Sequence, residues 1–290
     1  MEGDDPLTMV YQLSNLSVSY ANRVALQNVS CTIQGGKWIS VIGHTGAGKS
    51  TFVKVLKGLI PDIAGEYLIN DHPIPKDRKG QLKALPDIGF VFQYPEHQLF
   101  ESTVYKELAF APKLRGDTPQ QIKKSIETVL SQVGLTDDIL PLVPFQLSGG
   151  QKRRVAIASV LMMDPKLLIL DEPTAGLDPV SHAALLQLLS KWQQQGNRTV
   201  LFVSHQMNDV AEYSDEVMVF HEGQLIGHYE TGTLFLEQAA LLEQLGLSLP
   251  EPVQLLKIVE EMSGEIIEVA SCREQDIFAK VLPIWQARRL

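Results

Sequence analysis

The segment from Gly43 to Ser50 constrains the fold of this chain more than any other feature. It reads GHTGAGKS and fits the pattern G-x-x-x-x-G-K-[ST]. It lies between a short apolar run at residues 38–42 and an amphipathic stretch at residues 50–59, the strand-to-helix context that the pattern requires. Glycines let consecutive backbone N–H groups turn inward around phosphates, and the helix directs its positive end at them. The sequence therefore predicts a phosphate-binding loop.

The side chains of this loop predict how it holds a nucleotide. Lys49 adds a mobile cation beside the phosphates, and the hydroxyl of Ser50 is left to ligate Mg²⁺. A glycine-rich turn that precedes a lysine by chance is the alternative, and the flanking strand and helix argue against it. The predicted contacts to the nucleotide are Gly43, His44, Thr45, Gly46, Ala47, Gly48, Lys49, Ser50 and Thr51.

Two adjacent acids end another apolar run. Asp171 and Glu172 follow residues 167–170, and the carboxyl ends of parallel strands are where open α/β sheets collect ligands. Because neighbouring positions point opposite ways, we expect Asp171 to face Mg²⁺ and Glu172 to polarise the attacking water as general base. Alone, such a pair is commonly a solvated turn, but together with the phosphate loop it favours catalysis.

The pattern of apolar runs predicts an α/β fold with a parallel sheet. With the motif at Gly43–Ser50, the chain resembles the P-loop NTPases, which implies a RecA-like core. Residues 11–34 alternate like half-exposed antiparallel strands, with a turn at Ala21 and Asn22. The apolar stripe of the first helix is expected to be Phe52, Val53, Val55, Leu56 and Leu59. Strands buried on both faces are predicted at residues 38–42, 88–92, 167–170 and 200–203.

Changes in pattern divide the chain into parts. Residues 1–9 are acidic and are expected to be partly disordered or derived from expression. Residues 10–232 form the main domain, and its segment at about 95–160 reads as an inserted helical arm punctuated by proline and glycine. Residues 233–290 are rich in Leu and Glu and are expected to form a separate small C-terminal module.

Composition narrows the choice of partners. The formal charge of -9 argues against broad binding to nucleic acid, which needs a concentrated basic surface. Cys31 and Cys272 are far apart and have no ligand-spaced neighbours, which suggests neither a disulfide framework nor a zinc site and fits a reducing cytoplasm. The acidic start does not read as a signal peptide, and no apolar run is long enough to cross a bilayer. Any role at a membrane must therefore come through a partner.

One further motif identifies a family. Residues 147–151 read LSGGQ and precede the Asp171-Glu172 strand, and they resemble the signature of the ABC ATPases. The resemblance implies an ABC helical subdomain and a site in which this element completes the ATP site of an opposite subunit. A helix that begins here would present Ser148 as a cap and backbone N–H groups to a phosphate. The resemblance carries nucleotide contacts over to Ser148, Gly149, Gly150 and Gln151.

Other positions match the same family one by one. Gln93 resembles the Q-loop glutamine, which implies a role in catalysis and in holding Mg²⁺ with Ser50 and Asp171. Asp178 in the sequence AGLD resembles the D-loop, and His205 resembles the switch histidine beside the γ-phosphate. Each match is weak alone, since a lone histidine after a strand is more often structural, a glutamine is usually solvated and a tyrosine in an amphipathic strand is usually part of the core. Tyr20 resembles the aromatic residue that stacks on adenine, with an adjacent apolar wall at Val24 and Ala25.

The stretch at residues 92–104, FQYPEHQLFESTV, resembles the ATPases of energy-coupling factor (ECF) transporters. The resemblance implies an ATPase that pairs with an identical or, more often, a different ATPase on a transmembrane scaffold, the T component. It also implies interchangeable S components that bind vitamins or metal ions, and a location on the cytoplasmic face of the membrane. Tyr-Pro-Glu at residues 94–96 favours the second of the two ATPase types.

Two acids near this stretch suggest a contact with the scaffold. Glu96 and Glu101 could face basic coupling helices, and the alternative is that they are simply solvated near a helix start. Three other functions stay open. They are the ATPase of a conventional importer or exporter, a soluble ABC protein that acts on ribosomes or DNA, and a nucleotide-binding protein without turnover.

Overall fold

In the computed structural model, residues 9–21 and 23–288 are described. The predicted disorder of residues 1–9 falls outside them except for Met9, and so does Asn22 of the predicted turn. Ala21 has a φ of 48° and lies in a turn between the first two strands, as expected. The strands are β1 Val10–Tyr20, β2 Arg23–Gln34, β3 Trp38–Ile42, β4 Ala64–Ile69, β5 His72–Pro73, β6 Ile88–Val91, β7 Leu167–Asp171, β8 Thr199–Val203, β9 Glu216–His221 and β10 Gln224–Glu230. The α-helices are α1 Lys49–Lys57, α2 Val104–Arg115, α3 Pro119–Gln132, α4 Gly149–Leu161, α5 Pro179–Gln195, α6 Met207–Tyr213, α7 Ala239–Gln244, α8 Glu251–Ser263 and α9 Glu274–Arg288.

The central sheet has six strands in the order β10-β9-β3-β8-β7-β6. Strands β9, β3, β8, β7 and β6 are parallel, and β10 pairs antiparallel to β9 at the edge. The predicted strands at the centre are buried on both faces because they are continuous apolar runs. In register, Val41 pairs with Val203 and Val203 with Asp171, so the strands end at one edge. The predicted parallel α/β core is confirmed.

A second, antiparallel sheet has the order β2-β1-β4-β5 and covers one face of the core. Helix α1 packs its buried residues Phe52, Val53, Val55 and Leu56 into the same apolar cluster. The prediction was wrong for Leu59, which is 41% exposed. The helix ends at Lys57 because Gly58 takes a left-handed conformation with φ 76°, so Leu59 no longer continues the apolar stripe.

The helical arm follows β6 and contains α2, α3 and α4. Each helix begins at a hydroxyl cap: Thr103, Thr118 and Ser148 accept hydrogen bonds from backbone N–H groups of the first turn. Apolar residues of the arm pack with Leu168 and Leu170 of β7 in one cluster, so the arm is anchored on the opposite face of the sheet. The capping role predicted for Ser148 is therefore observed.

The C-terminal residues fold into a π-helical turn, Thr233–Glu237, followed by α7, α8 and α9. Their buried side chains, including Phe235 and Val259, share one apolar cluster with Ile42 and Val219 of the central sheet and with α6. The boundary at residues 232 and 233 stays a prediction, although the packing across it is continuous. Among the described residues, none of the helices is both long and apolar enough to cross a bilayer.

Candidate nucleotide-binding site

A cleft of about 1060 Å³ opens at the carboxyl ends of the parallel strands. The phosphate loop follows β3, Gln93 follows β6, Glu172 follows β7 and His205 follows β8. Because these strands are neighbours in the sheet, residues as far apart in the sequence as His44 and His205, 161 positions, meet at one edge. The predicted residues that line the cleft are Tyr20, Val24, Ala25, His44, Thr45, Gly46, Ala47, Gly48, Lys49, Ser50, Thr51, Gln93, Asp171, Glu172 and His205.

The backbone of the phosphate loop is braced by the turn between β9 and β10. Gly43 has a φ of 144°, and a Cβ atom there would lie 2.2 Å from the carbonyl oxygen of Phe220. The N–H of Gly223 donates to the carbonyl of Ala47 at 3.0 Å, and the carbonyl of Gly223 accepts from Gln27 at 2.9 Å. The hairpin therefore fixes the shape of the loop, and Gly43 is required at a point of close backbone approach.

Among the groups that line the cleft are two charged side chains and a hydroxyl, which belong to Lys49, Asp171 and Ser50. The Lys49 ammonium is buried and donates to the carbonyls of Gly43 at 2.7 Å and His44 at 3.0 Å. Burial lowers the pKa of Lys49, although Glu172 and Asp171 oppose that shift. Burial, with the nearby charge of Glu172, raises the pKa of Asp171, while the Ser50 hydroxyl at 3.3 Å partly offsets this.

Glu172 is held between two of the predicted catalytic residues. Its Oε2 accepts a hydrogen bond of 3.0 Å from Gln93 Nε2, and its Oε1 lies 2.7 Å from His205 Nε2. Its backbone φ is 51°, a left-handed conformation that is uncommon outside glycine, asparagine and aspartate. Each carboxylate oxygen of Glu172 therefore has its own partner, and the strained turn that carries the side chain is a feature found at functional sites.

The side of the cleft opposite β7 carries the predicted adenine contacts. Tyr20 and Val24 are 48% and 59% exposed, so both offer apolar surface to a base. Sequence reasoning missed Arg23, His221, Glu222 and Gly223, which also line the cleft. The Glu-Gly pair between two apolar runs is a hairpin signal that could have located the last two, but their proximity to the loop depends on the sheet order.

The signature residues lie apart from this cleft. Ser148, Gly149, Gly150 and Gln151 do not line it, and the first three are exposed. Asp178 does not line it either, because its side chain caps α5 by accepting from the N–H groups of Val180 and Ser181. The chain by itself therefore brings together one set of predicted residues and leaves the other set on its surface.

Two contacts were not expected from the sequence. His44 Nε2 lies 2.7 Å from the carbonyl oxygen of Leu245, so the C-terminal region contacts the phosphate loop directly. Glu96 forms an ion pair with the guanidinium of Arg153 at 3.1 Å. The expectation that Glu96 is available to a basic scaffold helix, or merely solvated, was wrong because an internal cation already pairs with it. The proposed role of Glu101 stays a prediction.

The oxygen donors around Ser50 fit a magnesium ion. Mg²⁺ takes few protein ligands, usually hydroxyl or carboxylate oxygens, and completes its shell with phosphates and water. The Ser50 hydroxyl, the Asp171 carboxylate and the amide oxygen of Gln93 supply such donors at the cleft. Over the described residues, no group of three or more His, Cys, Asp or Glu side chains could hold a metal ion.

Comparisons with known proteins show the family of this chain and several proteins that it resembles. A family model described as ABC transporter matches residues 26–175. The chain is 40% identical over 255 residues to the energy-coupling factor transporter ATP-binding protein EcfA2 of Acetivibrio thermocellus, which covers 87% of this chain and 90% of that protein. The structure of cbiO1 from Clostridium perfringens, part of the ABC transporter complex cbiONQ, matches with a TM-score of 0.71 and 34% identity over 85% of this chain and 98% of that chain. A dimeric, post-hydrolysis state of the ATP-binding cassette MJ0796 bound to ADP and Pi matches with a TM-score of 0.64 and 28% identity over 76% of this chain and 98% of that chain.

Proposed function

This chain belongs to the ABC transporter family, among the ATP-hydrolysing subunits of energy-coupling factor transporters, and we propose that its cleft is the site that binds and hydrolyses MgATP. The observation that carries the proposal is the position of Glu172 between Gln93 and His205, on the same sheet edge as the phosphate loop. A general base beside a phosphate cradle is what hydrolysis of a terminal phosphate needs.

Different residues of the cleft bind different parts of the nucleotide. Tyr20 stacks on adenine, with Val24 and Ala25 beside it, and the loop from Gly43 to Thr51 surrounds the phosphates with backbone N–H groups. Lys49 exchanges its two backbone carbonyl contacts for phosphate oxygens. Burial lowers the pKa of Lys49 from its ordinary value of 10.5, and the charges of Glu172 and Asp171 oppose that shift.

Hydrolysis requires a base that can accept one proton. Glu172 takes a proton from water, the water oxygen bonds to the γ-phosphorus, and the bond to the β–γ bridging oxygen breaks to release ADP and phosphate. Gln93 and His205 keep both oxygens of the carboxylate directed into the cleft. His205 donates to the γ-phosphate once nucleotide competes for its Nε2–H.

Ser50, Asp171 and Gln93 would hold the magnesium ion that accompanies ATP. When bound, it neutralises charge that develops on the β- and γ-phosphate oxygens. The raised pKa of Asp171 is consistent with a carboxylate placed for a cation, since burial without one disfavours its ionised form.

A second ATPase completes the site. Ser148, Gly149 and Gly150 of the signature are exposed at the start of α4, with Gln151 half-buried beside them, and Val180, two residues after Asp178, is 79% exposed. We infer that they close over the nucleotide of a partner ATPase, identical or different, so that ATP joins two such domains. Hydrolysis then reopens the pair.

The arm is the proposed contact with the transmembrane T component. Phe100 and Phe110 stack edge to face at 5.0 Å, and they are 65% and 40% exposed. Leu114 is 76% exposed, and Tyr94 and Tyr105 are 46% and 38% exposed. Exposed aromatic clusters of this kind mark protein interfaces. The chain would thus bind peripherally at the cytoplasmic face and drive uptake of a vitamin or metal ion captured by an S component.

Replacing Glu172 tests the site. Glu172→Gln keeps the size of the side chain but removes the proton acceptor, so kcat should fall by about 10²- to 10⁴-fold while ATP still binds. Phosphate release and gel filtration with ATP measure both, and the variant should accumulate as an ATP-loaded dimer. Glu261→Gln makes the same change at an exposed position of α8 and should hydrolyse ATP normally. A Glu172→Gln protein with normal turnover would refute the base assignment.

The membrane assignment has a separate test. The chain is captured from mildly solubilised membranes, and the proteins that come with it are identified by mass spectrometry. A second ATPase, one polytopic scaffold and several small hydrophobic subunits support the ECF assignment. A pair of ordinary permeases would indicate a conventional transporter, and soluble partners alone would overturn the role in transport. Phe100→Glu should abolish the membrane capture and leave nucleotide binding unchanged.

A further inference from the structure

Arg153 of α4 is a buried cation that the proposed hydrolysis steps do not use. Its side chain is 6% exposed, and its guanidinium makes three hydrogen bonds. Nε and Nη2 donate to the two carboxylate oxygens of Glu96, each at 3.1 Å, and Nη1 donates to the carbonyl of Ala175 at 2.9 Å. The planar fork of an arginine suits this arrangement, since two of its nitrogens bind a carboxylate side by side while the third donates to a different acceptor, here the Ala175 carbonyl.

The two partners of Arg153 belong to segments that adjoin the catalytic residues. Glu96 lies in the 3-10 turn Pro95–Gln98, three residues after Gln93. The N–H of Ala175 donates to the carbonyl of Glu172 at 3.2 Å and closes the turn in which Glu172 has its left-handed backbone. A continuous set of hydrogen bonds therefore runs from the arm, through Arg153, to the backbone of the proposed general base.

We propose that Arg153 is a positioning residue that ties the Gln93–Glu96 segment and the signature helix to the Glu172–Ala175 turn. Displacement of the arm by a membrane partner would reach Glu172 through this contact. The inference rests on the proposed role of Glu172 and adds to it a route by which the arm controls the base.

The packing of α4 shows that Arg153 is not needed merely to hold the helix in place. Val155, Ile157 and Ala158 on the same helix are fully buried in the arm's apolar cluster. That burial supplies the main attachment of α4, because apolar area removed from water dominates such packing. The contribution of the arginine is to position the Ala175 carbonyl relative to the segment that follows Gln93. The turn that contains Glu172 is positioned with it.

The position of Arg153 predicts a split between binding and turnover. Arg153, Glu96 and Ala175 do not line the nucleotide cleft, so their loss should leave the affinity for nucleotide unchanged. Turnover should fall, because small displacements of a catalytic group reduce rate strongly. A kcat effect without a KM effect is therefore the expected signature.

Three variants of the full-length chain test the proposal. Arg153→Gln removes both contacts, and kcat should fall by roughly 5- to 30-fold, the upper range for a coupling residue without ligand contact. Glu96→Gln leaves the bond from Arg153 to Ala175, so its loss of kcat should be about half as large on a logarithmic scale. Arg153→Lys keeps the charge without the fork and should lie between wild type and Arg153→Gln. Binding of ADP, measured by calorimetry, should change by less than about twofold in all three.

Asp164→Asn is the matched control. It removes a 3.1 Å ion pair with Arg198 elsewhere on the domain, and asparagine tolerates the left-handed backbone at this position, φ 49°. Its kcat should equal that of wild type. Thermal unfolding of every variant gives the folded fraction, to which kcat is normalised.

The outcomes are separable from those for the proposed function. The positioning role is overturned if Arg153→Gln matches Asp164→Asn in normalised kcat, if ADP affinity falls in proportion to kcat, or if Glu96→Gln is as impaired as Arg153→Gln. The last result would indicate a plain ion pair that holds the arm. Normal turnover in Glu172→Gln would instead remove the general base itself, whatever the Arg153 variants do.

Discussion

Gly43→Ala is the substitution that most directly tests how the hairpin braces the phosphate loop. The new Cβ would lie 2.2 Å from the carbonyl oxygen of Phe220, a residue that is itself buried in β9. Ordinary van der Waals contact would require a separation more than 1 Å greater. Either the loop or β9 must move, and both are fixed by strand pairing and by the Gly223 to Ala47 hydrogen bond.

Two costs contribute to the expected loss of stability. A non-glycine residue at φ 144° costs about 1–3 kcal/mol in backbone strain. Forcing the overlap costs about another 1–3 kcal/mol, as for an overpacked core. Gly46→Ala separates the two terms, because its φ is 84° but the nearest neighbour of its new Cβ would be an Arg23 side-chain atom at 3.7 Å. It should therefore show the strain alone.

Urea unfolding of the two variants measures the difference. Gly43→Ala should be less stable than Gly46→Ala by about 1–3 kcal/mol, and it should bind ATP more weakly because the loop is displaced. Equal stability of the two variants would refute the argument, since it would mean that the approach of Phe220 to the loop imposes no constraint.

Three other substitutions test separate features. Phe235→Ala in the shared C-terminal cluster should reduce the free energy of unfolding by about 3–5 kcal/mol and lower the temperature of a single calorimetric transition. Ile266→Ala, at a position that is 91% exposed, should change the free energy of unfolding by less than about 0.5 kcal/mol. Two resolved transitions would contradict the shared core. Because the folded pKa of Asp171 is raised above 3.8, the unfolded chain ionises first and stability is lost as pH rises through the folded pKa. Asp171→Asn should therefore unfold at a higher temperature than wild type at pH 7 without nucleotide, and this gain should be absent below about pH 3. The variant should lose ATP hydrolysis. A melting temperature below that of wild type at pH 7 would contradict the burial cost of the Asp171 carboxylate. His44→Ala removes the contact with the Leu245 carbonyl and should speed amide exchange at Leu247, whose N–H bonds to Leu242, and unchanged exchange would show that the contact does not hold the C-terminal region.

Local patterns were sufficient to predict much of the site. The phosphate loop is recognisable because glycines, a lysine and a hydroxyl must follow one another in a fixed order to surround phosphates. Asp171 and Glu172 are recognisable because they end an apolar run, and the resemblance to ECF ATPases fixed the subclass and the second-subunit type, which the EcfA2 relatives confirm. The end of α1 was also encoded locally, in Gly58, although the apolar character of Leu59 obscured it.

Contacts between distant segments could not be predicted in the same way. Nothing near Arg153 in the sequence indicates that it meets Glu96, 57 residues away, or that Glu96 is thereby unavailable to a partner. The contact of His44 with Leu245 spans 201 residues and depends on how the C-terminal helices pack against the central sheet. Residues of the β9–β10 turn line the cleft because β9 pairs not only with β10 but also with β3, the strand that precedes the phosphate loop and lies far from β9 in sequence.

The sequence by itself determined the family of this protein and the chemistry proposed for it: a phosphate loop, a candidate base, and a hydroxyl and a carboxylate proposed as metal ligands. These depend on residue types at short, fixed spacings, which local backbone geometry dictates. The tertiary structure decided which charges are paired, which loops brace one another and which residues remain exposed for partners. Such features depend on strand order and on the packing of whole faces, and those follow from the burial of apolar surface over the entire chain rather than from any one segment.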